Sequence, residues 1–499
     1  MKRLITLMLC LCLALSGCAK GGETAQENET NPTSAPISES APAVSIEKLA
    51  LAELPELPEE PDDAAFWDAI NALDYDQLGQ EGYRKAYDAL WSDYSAKEDA
   101  YADALRSLRG EGVDTALTPA LSVYTLRTAA QLAGDETENN VVYSPANLYL
   151  ALCMLAETTD GESRAQLLDL LGLSGVEASR AAANAIWRAL YRDGARDKTL
   201  PANSIWLGED FDFHPDTVDT LARDYYASVF RAPMGETATD DAIRDWINEH
   251  TNHLLEAAAN GFETDDDTLM LLISTLYFKG TWGSKFDTFN TYEDAFTKAD
   301  GTEQRVDFMH RTDARRTYYR GENFLAAPLF FEDGTTMWFL LPDEGVSVQS
   351  VLPDETNVFV AIDAPEGTVQ DTPFGPIFAR EDYAEIHWSV PKLDVQSDLD
   401  LIPALQALGV TDVFEDGAAD FSPLTDTPAI VSAVEHAARV KVDEEGCEAA
   451  AFTVITAAPT AALIDPLPVV EMNLNRPFGF LITGVSGLPL FMGIVNTVA

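Results

Sequence analysis

The stretch that most constrains this 499-residue chain runs from Glu444 to Thr460. It reads Glu444-Glu445-Gly446-Cys447-Glu448-Ala449-Ala450-Ala451, then Phe452-Thr453-Val454-Ile455-Thr456-Ala457-Ala458-Pro459-Thr460. Acidic residues, one glycine and a run of small side chains lead into a β-branched segment with no charge to interrupt it. In isolation Glu-Ala-Ala-Ala is good helix sequence, and that reading stays open on these residues alone. In an extended chain, Cys447, Ala449, Ala451, Thr453, Ile455 and Ala457 share one face, which is small and nearly apolar. Phe452, the bulky residue of the first half, falls on the opposite face. Such a segment can be an exposed loop in one state and a buried strand in another.

Its surroundings favour the second behaviour. His436 lies eight residues before Glu444, and Val390-Pro391-Lys392-Leu393 precedes both. Upstream are Tyr143-Ser144-Pro145 opening an apolar helical run, Trp246-Ile247-Asn248 with Thr251, and Leu276-Tyr277-Phe278-Lys279-Gly280-Thr281-Trp282 followed by Phe286. Phe308-Met309, Arg476-Pro477-Phe478 and Leu490-Phe491-Met492-Gly493 complete the series. In this order the segments resemble the serpins, inhibitors that trap a serine protease by inserting their own loop into a β-sheet. Glu444 to Thr456 resembles the hinge of the reactive centre loop, and Trp282 the breach tryptophan. Lys392 resembles the lysine that pairs with the hinge glutamate, and His436 the shutter histidine.

The resemblance implies an α+β fold: large mixed β-sheets with surrounding helices and an exposed reactive centre loop. It also implies a suicide mechanism, in which a protease forms an acyl-enzyme on the loop and is carried off as the loop inserts. His436 is then a buried hydrogen-bonding residue that latches two central strands. The family's spacing, fifteen positions from Gly446 inclusive, puts the reactive bond between Thr460 and Ala461, with a slip of two or three residues open. No Lys or Arg lies between Lys441 and Arg476, which argues against a trypsin-like target. Ala457-Ala458-Pro459-Thr460 suits an elastase-like or subtilisin-like serine protease, and Leu463 keeps a chymotrypsin-like one open.

Three positions depart from the family pattern. Cys447 stands where a hydroxyl or small aliphatic residue is usual, Ser274 where an asparagine is common, and Asn147 where a serine is common. Asn147 supplies both a donor and an acceptor, so the swap is expected to be compensatory, with Asn147 bonded to His436. A serpin-fold protein that binds or scaffolds without inhibiting is the alternative, and the small hinge residues favour the inhibitor.

Length and composition fit a large core with a smaller addition: 46% of residues are hydrophobic. The formal net charge of −51 argues against nucleic acid as a partner, since phosphate binding draws on clustered Lys and Arg. Lys2 and Arg3 precede an apolar run, and Leu15-Ser16-Gly17-Cys18 resembles the bacterial lipobox. Residues 1–17 are thus expected to be a lipoprotein signal, with Cys18 acylated and the protein exported and anchored to the cell membrane, facing out of the cytoplasm. Only Cys153 and Cys447 then remain as thiols, with no disulfide framework.

Residues 18–61 carry nine Glu against two Lys and six Pro, and read as an extended acidic tether. Residues 62–112 form a helical extension: Phe66, Ile70 and Leu73 suggest a short helix, and Tyr83, Tyr87, Leu90, Tyr94, Tyr101, Leu105 and Leu108 the face of a longer one after a break near Gly79. That face either docks on the main domain, residues 113–499, or serves as a separate binding module. No catalytic residue, cofactor or metal is expected. His250 and His253 lie three apart on an expected helix from Asp240 to Ala258, with no third ligand and no His-Glu-x-x-His. Gly-x-Ser-x-Gly, Walker A and Gly-x-Gly-x-x-Gly are absent. A monomer is expected.

Overall fold

A computed structural model describes residues 45–499, apart from 59, 110–116, 134–137, 195–196, 262, 267, 321–322, 352–369, 373–374, 378–379, 448–466, 486 and 499. The signal segment, Cys18, Glu448, Ala449, Ala450, Ala451, Thr460 and Ala461 lie outside the described residues.

Two large sheets carry the fold. Across the first, the strands run Glu47–Ala50, Ala227–Ala232, Lys198–Gly208, Met270–Thr281, Gly446–Cys447, Glu435–Val442 and Leu393–Asp400. Lys198–Gly208 pairs parallel with Ala227–Ala232 and antiparallel with Met270–Thr281, so the sheet is mixed. The second runs Val469–Asn473, Arg380–Pro391, Glu303–Arg320, Phe324–Phe330, Thr336–Pro342, Phe478–Thr483, Pro489–Val495 and Val141–Tyr143, with Thr291–Thr297 pairing on Glu303–Arg320. Pro489–Val495 and Phe478–Thr483 are buried throughout or nearly so, as expected for continuous apolar runs inside a covered sheet.

Between the sheets runs the helix Pro145–Thr158, nearly every residue of which is buried. Its sequence is apolar on all sides, which suits a central core helix and no surface position. Ser144 caps it, accepting the Asn147 N–H at 3.2 Å, and Pro145 occupies the first turn, where a missing N–H costs little. The cap fixes where this helix starts, and so where Ser144 and Asn147 stand beneath the first sheet.

Two expectations need correction. Residues 47–50 are no free tether: they add as an edge strand, Glu47 opposite Arg231 and Lys48 opposite Phe230. The expected helix from Asp240 to Ala258 ends at His250, within Thr237–His250, and His253 has φ 60, in the left-handed region. His250 instead stacks on Trp246 at 4.1 Å, its Nδ1 2.7 Å from the Trp246 carbonyl oxygen. Among the described residues no group of His, Cys, Asp and Glu could hold a metal ion.

The extension forms the helices Asp63–Asn71 and Tyr75–Arg109, the second broken at Gly79, whose φ of 63 a glycine adopts without strain. Phe66 stacks on Tyr94 at 4.3 Å and Leu108 joins the main hydrophobic core, while Tyr83, Tyr87 and Leu90 are half-buried.

Candidate functional site

The Gly446–Cys447 strand stands between Met270–Thr281 and Glu435–Val442: Gly446 lies opposite Thr281, and Cys447 opposite Gly280 on one side and Val442 on the other. Among the described pairings these two residues are what joins the flanking strands. Only glycine fits at 446. A Cβ there would lie 2.1 Å from the Gly280 carbonyl oxygen and 3.0 Å from the Thr281 Cα. Cys447 is buried and forms no disulfide among the described residues.

The entry to this strand is held by a dense set of bonds. Trp282, fully buried and stacked on Phe331 at 4.4 Å, donates its indole N–H to the Asp443 carbonyl oxygen at 2.9 Å. The Trp282 backbone N–H donates to Glu445 O at 2.9 Å, and that of Phe286 to Glu444 O at 3.0 Å. Lys392 Nζ donates to Glu444 Oε2 at 2.8 Å, and Lys285 Nζ lies 2.7 Å from Glu445 Oε2. The bond to Glu444 raises the Lys392 ammonium above its ordinary pKa. Burial alone would raise the Glu444 carboxyl, but the bonds to it outweigh burial and hold it below the usual carboxylate value. The hinge therefore begins at a charge-assisted anchor.

Lower down, the two flanking strands meet the central helix. The Ser144 N–H donates to His436 Nε2 at 3.0 Å, and the Ser144 hydroxyl to the Leu490 carbonyl oxygen at 2.6 Å. His436 is 6% exposed, and burial lowers its pKa to about 4, so the ring is neutral with its proton on Nδ1 near pH 7. The expected latch between two central strands is thus a bond from a strand to a helix N-cap.

Asn147 does not reach for His436 as expected. Its side-chain N–H donates to the Ser274 carbonyl oxygen at 2.8 Å. The Ser274 hydroxyl, with one proton, is shared between Asn147 Oδ1 and Asn203 Oδ1, the latter at 2.8 Å. The two departures from the family pattern thus satisfy each other, because exchanging a long and a short polar side chain across one contact conserves both reach and bonding.

Four contributors, Asp443, Asp197, Asn203 and Lys285, went unnoticed in the sequence. Asp443 accepts the Glu445 N–H at 2.9 Å, closing the turn before Gly446. Asp197 accepts the Thr281 N–H at 2.9 Å; burial pushes its carboxyl up to about 6. Asn203 is the third and Lys285 the fourth. Lys285, three residues after Trp282, had a usable signal in its spacing; Asp197 and Asn203 had none, being brought in by strand pairing alone.

The geometry is that of a β-sheet opened at one end, with a small-residue strand started in the opening. A family profile described as serpin (serine protease inhibitor) matches residues 119–498, more than half of the chain. The chain belongs to the serpin family. Among curated relatives, serpin-Z1B of Triticum aestivum is 27% identical over 393 residues, covering 75% of this chain and 94% of its own. Neuroserpin of Mus musculus is 26% identical over 423 residues, covering 79% and 96%. Among solved structures, the thermophilic serpin tengpin in its native state superposes with a TM-score of 0.63 at 27% identity, covering 76% of this serpin and 94% of tengpin. The family is in general one of serine protease inhibitors, and the α+β architecture with large mixed sheets is this serpin's own.

Proposed function

We propose that this serpin is a cell-surface-anchored suicide inhibitor of an elastase-like or subtilisin-like serine protease, itself without catalytic activity. The observation that carries the proposal is the position of Gly446 and Cys447, already paired on both sides between the strands that a further strand would have to enter. Loop insertion is a property taken from the family; only its scale is estimated from general principles. About 14 residues added at roughly 3.3 Å each move an attached enzyme about 45 Å. At about 1 kcal/mol net per backbone bond, the new strand contributes on the order of 10 kcal/mol before side-chain burial. Trapping requires insertion to outrun deacylation, so the native state must be held kinetically.

The small residues Ala457, Ala458 and Pro459 before Thr460 support the target class, and Thr460–Ala461 is the bond proposed to be cut. The lipobox-like Leu15-Ser16-Gly17-Cys18 supports export and anchoring through Cys18. The test is incubation of the soluble domain with an elastase and a subtilisin, followed by denaturing electrophoresis. A 1:1 adduct that survives denaturation is expected. Steady turnover of the domain as a plain substrate, with no adduct, would leave the binding or scaffold function in place of inhibition.

A further inference from the structure

The chain before the serpin profile, which starts at residue 119, grips the first sheet at its edge and at the end where the hinge enters. At the edge, Glu47–Ala50 pairs with Ala227–Ala232, and the Ala52 N–H donates to the Ser228 hydroxyl at 3.4 Å. Further on, Tyr101, Leu105 and Leu108 of the long helix are buried, and Arg188 donates to the Ser107 carbonyl oxygen at 3.4 Å.

At the hinge end the contacts run through charge. Glu60 Oε1 lies 3.6 Å from Arg192 Nη2, and Arg192 Nη1 lies 3.7 Å from Asp333 Oδ2. The Glu60, Arg192 and Asp333 side chains are 12%, 16% and 2% exposed, so the bridge is little screened by salt. Asp333 stands in the turn between Phe324–Phe330 and Thr336–Pro342 of the second sheet, and in the same turn the Glu332 N–H donates to the Thr281 carbonyl oxygen at 2.8 Å. The Thr281 N–H is taken by Asp197, whose carbonyl oxygen receives the Gly194 N–H at 3.1 Å, two residues from Arg192. Thr281 is the residue opposite Gly446. Through Arg192 and one turn, Glu60 therefore reaches the strand end that flanks the hinge.

A further strand between Met270–Thr281 and Glu435–Val442 has to part them. Met270–Thr281 is paired with Lys198–Gly208, Lys198–Gly208 with Ala227–Ala232, and Ala227–Ala232 with Glu47–Ala50, so these strands must shift together. Arg192–Asp193 pairs on Lys198–Gly208 and goes with them, whereas Asp333 is tied to the second sheet. The Arg192–Asp333 pair thus joins two parts that insertion moves relative to one another, and Glu60 holds Arg192 in place.

We infer that residues 45–109 act as a strap that holds the entry end of the first sheet closed, slowing the uptake of a further strand and lengthening the life of the native state. The inference rests on the loop insertion of the proposed function and deepens it, by naming the part of the chain that sets its rate.

The experiment follows uptake of a fluorescently labelled synthetic peptide with the sequence of residues 448–460 by the soluble protein, residues 19–499. No protease enters this readout, which separates the strap from the proposed inhibition. Glu60→Gln, Asp333→Asn and the double variant are compared with the unmodified protein. Each single variant is expected to take up the peptide about tenfold faster, the change made by about 1.4 kcal/mol of barrier. Because both act through Arg192, the double variant should be hardly faster than either one, whereas two independent losses of stability would multiply. Asp333 also accepts the Thr335 N–H and hydroxyl, so if Asp333→Asn does not fold, Glu60→Gln decides alone. Uptake by Glu60→Gln at the unmodified rate, or effects that multiply, would overturn the strap and leave inhibition standing. Faster uptake by the variants, with no protease adduct from any of the proteins, would support the strap and overturn inhibition. No uptake by any of them would overturn both.

Discussion

Gly446 and Gly280 approach so closely that a single methyl group on the first would lie 2.1 Å from the carbonyl oxygen of the second. The strand begun at Gly446 enters the sheet because neither residue there carries bulk: a Cβ on Gly280 would likewise meet Phe278 and Phe331 at 2.7 and 2.8 Å.

Gly446→Ala is therefore expected to push the hinge out of the sheet. The overpacking cost is about 1–3 kcal/mol, as backbone atoms must shift and no flexible side chain can give way. Urea denaturation should show this loss, and limited proteolysis should find new cleavage near Glu445. Stability equal to the unmodified protein would mean that the observed pairing contributes nothing.

His436 gives stability a pH dependence of known sign. Its pKa is lowered by burial to about 4, against about 6.5 in an unfolded chain. The neutral ring is favoured by folding, so its contribution is complete above pH 6.5 and is lost as pH falls towards 4. The full loss amounts to about 3 kcal/mol. His436→Gln keeps an acceptor for the Ser144 N–H but cannot titrate. The difference in unfolding free energy between the two proteins should change over that window and be flat above pH 7; a constant difference from pH 7 to 4 would refute the account.

Ala451→Arg should preserve the native fold and loop cleavage while abolishing trapping. By alternation from Cys447, Ala451 falls on the face that must pack against the core when the loop inserts, and an unpaired guanidinium there costs several kcal/mol, roughly enough to let deacylation win. Phe452→Arg, on the opposite face, should do much less. Adduct yield and the rise in melting temperature on loop cleavage measure both; unimpaired trapping by Ala451→Arg would show that the loop does not insert in this register.

Cys18→Ser should release the protein from the membrane fraction into the soluble fraction. Mass spectrometry of the mature unmodified protein should find acylated Cys18 at its N-terminus. A processed N-terminus elsewhere, or a bare Cys18, would contradict the anchor.

Elements with strong local signals were legible. Phe478–Thr483 is a strand along a run of apolar residues that carries its own signal, and the helix opened by Ser144 and Pro145 starts where those residues require. Elements stabilised by a distant partner were not. Glu47–Ala50 has an acidic, Pro-rich neighbourhood and the look of a tether, but its backbone is completed by the open edge of Ala227–Ala232. The helix expected through Ala258 stops at His250: Asn252 and His253 take left-handed φ of 50 and 60, and the Leu254 carbonyl oxygen accepts from Arg439, which is paired with Asp394.

The order of the motifs, through their resemblance to the serpins, made the α+β fold legible from the sequence. The small-residue face that runs from Cys447 and the lack of a basic residue between Lys441 and Arg476 are read from the residues themselves, being properties of spacing and composition along one segment. Tertiary packing set what each polar group meets: that Asn147 satisfies Ser274 while Ser144 serves His436, and that Asp197 completes the backbone at Thr281. A hydrogen bond depends on positions within a few tenths of an ångström, here between residues 84 to 292 positions apart in the chain, and that distance is set by packing, which no local pattern encodes.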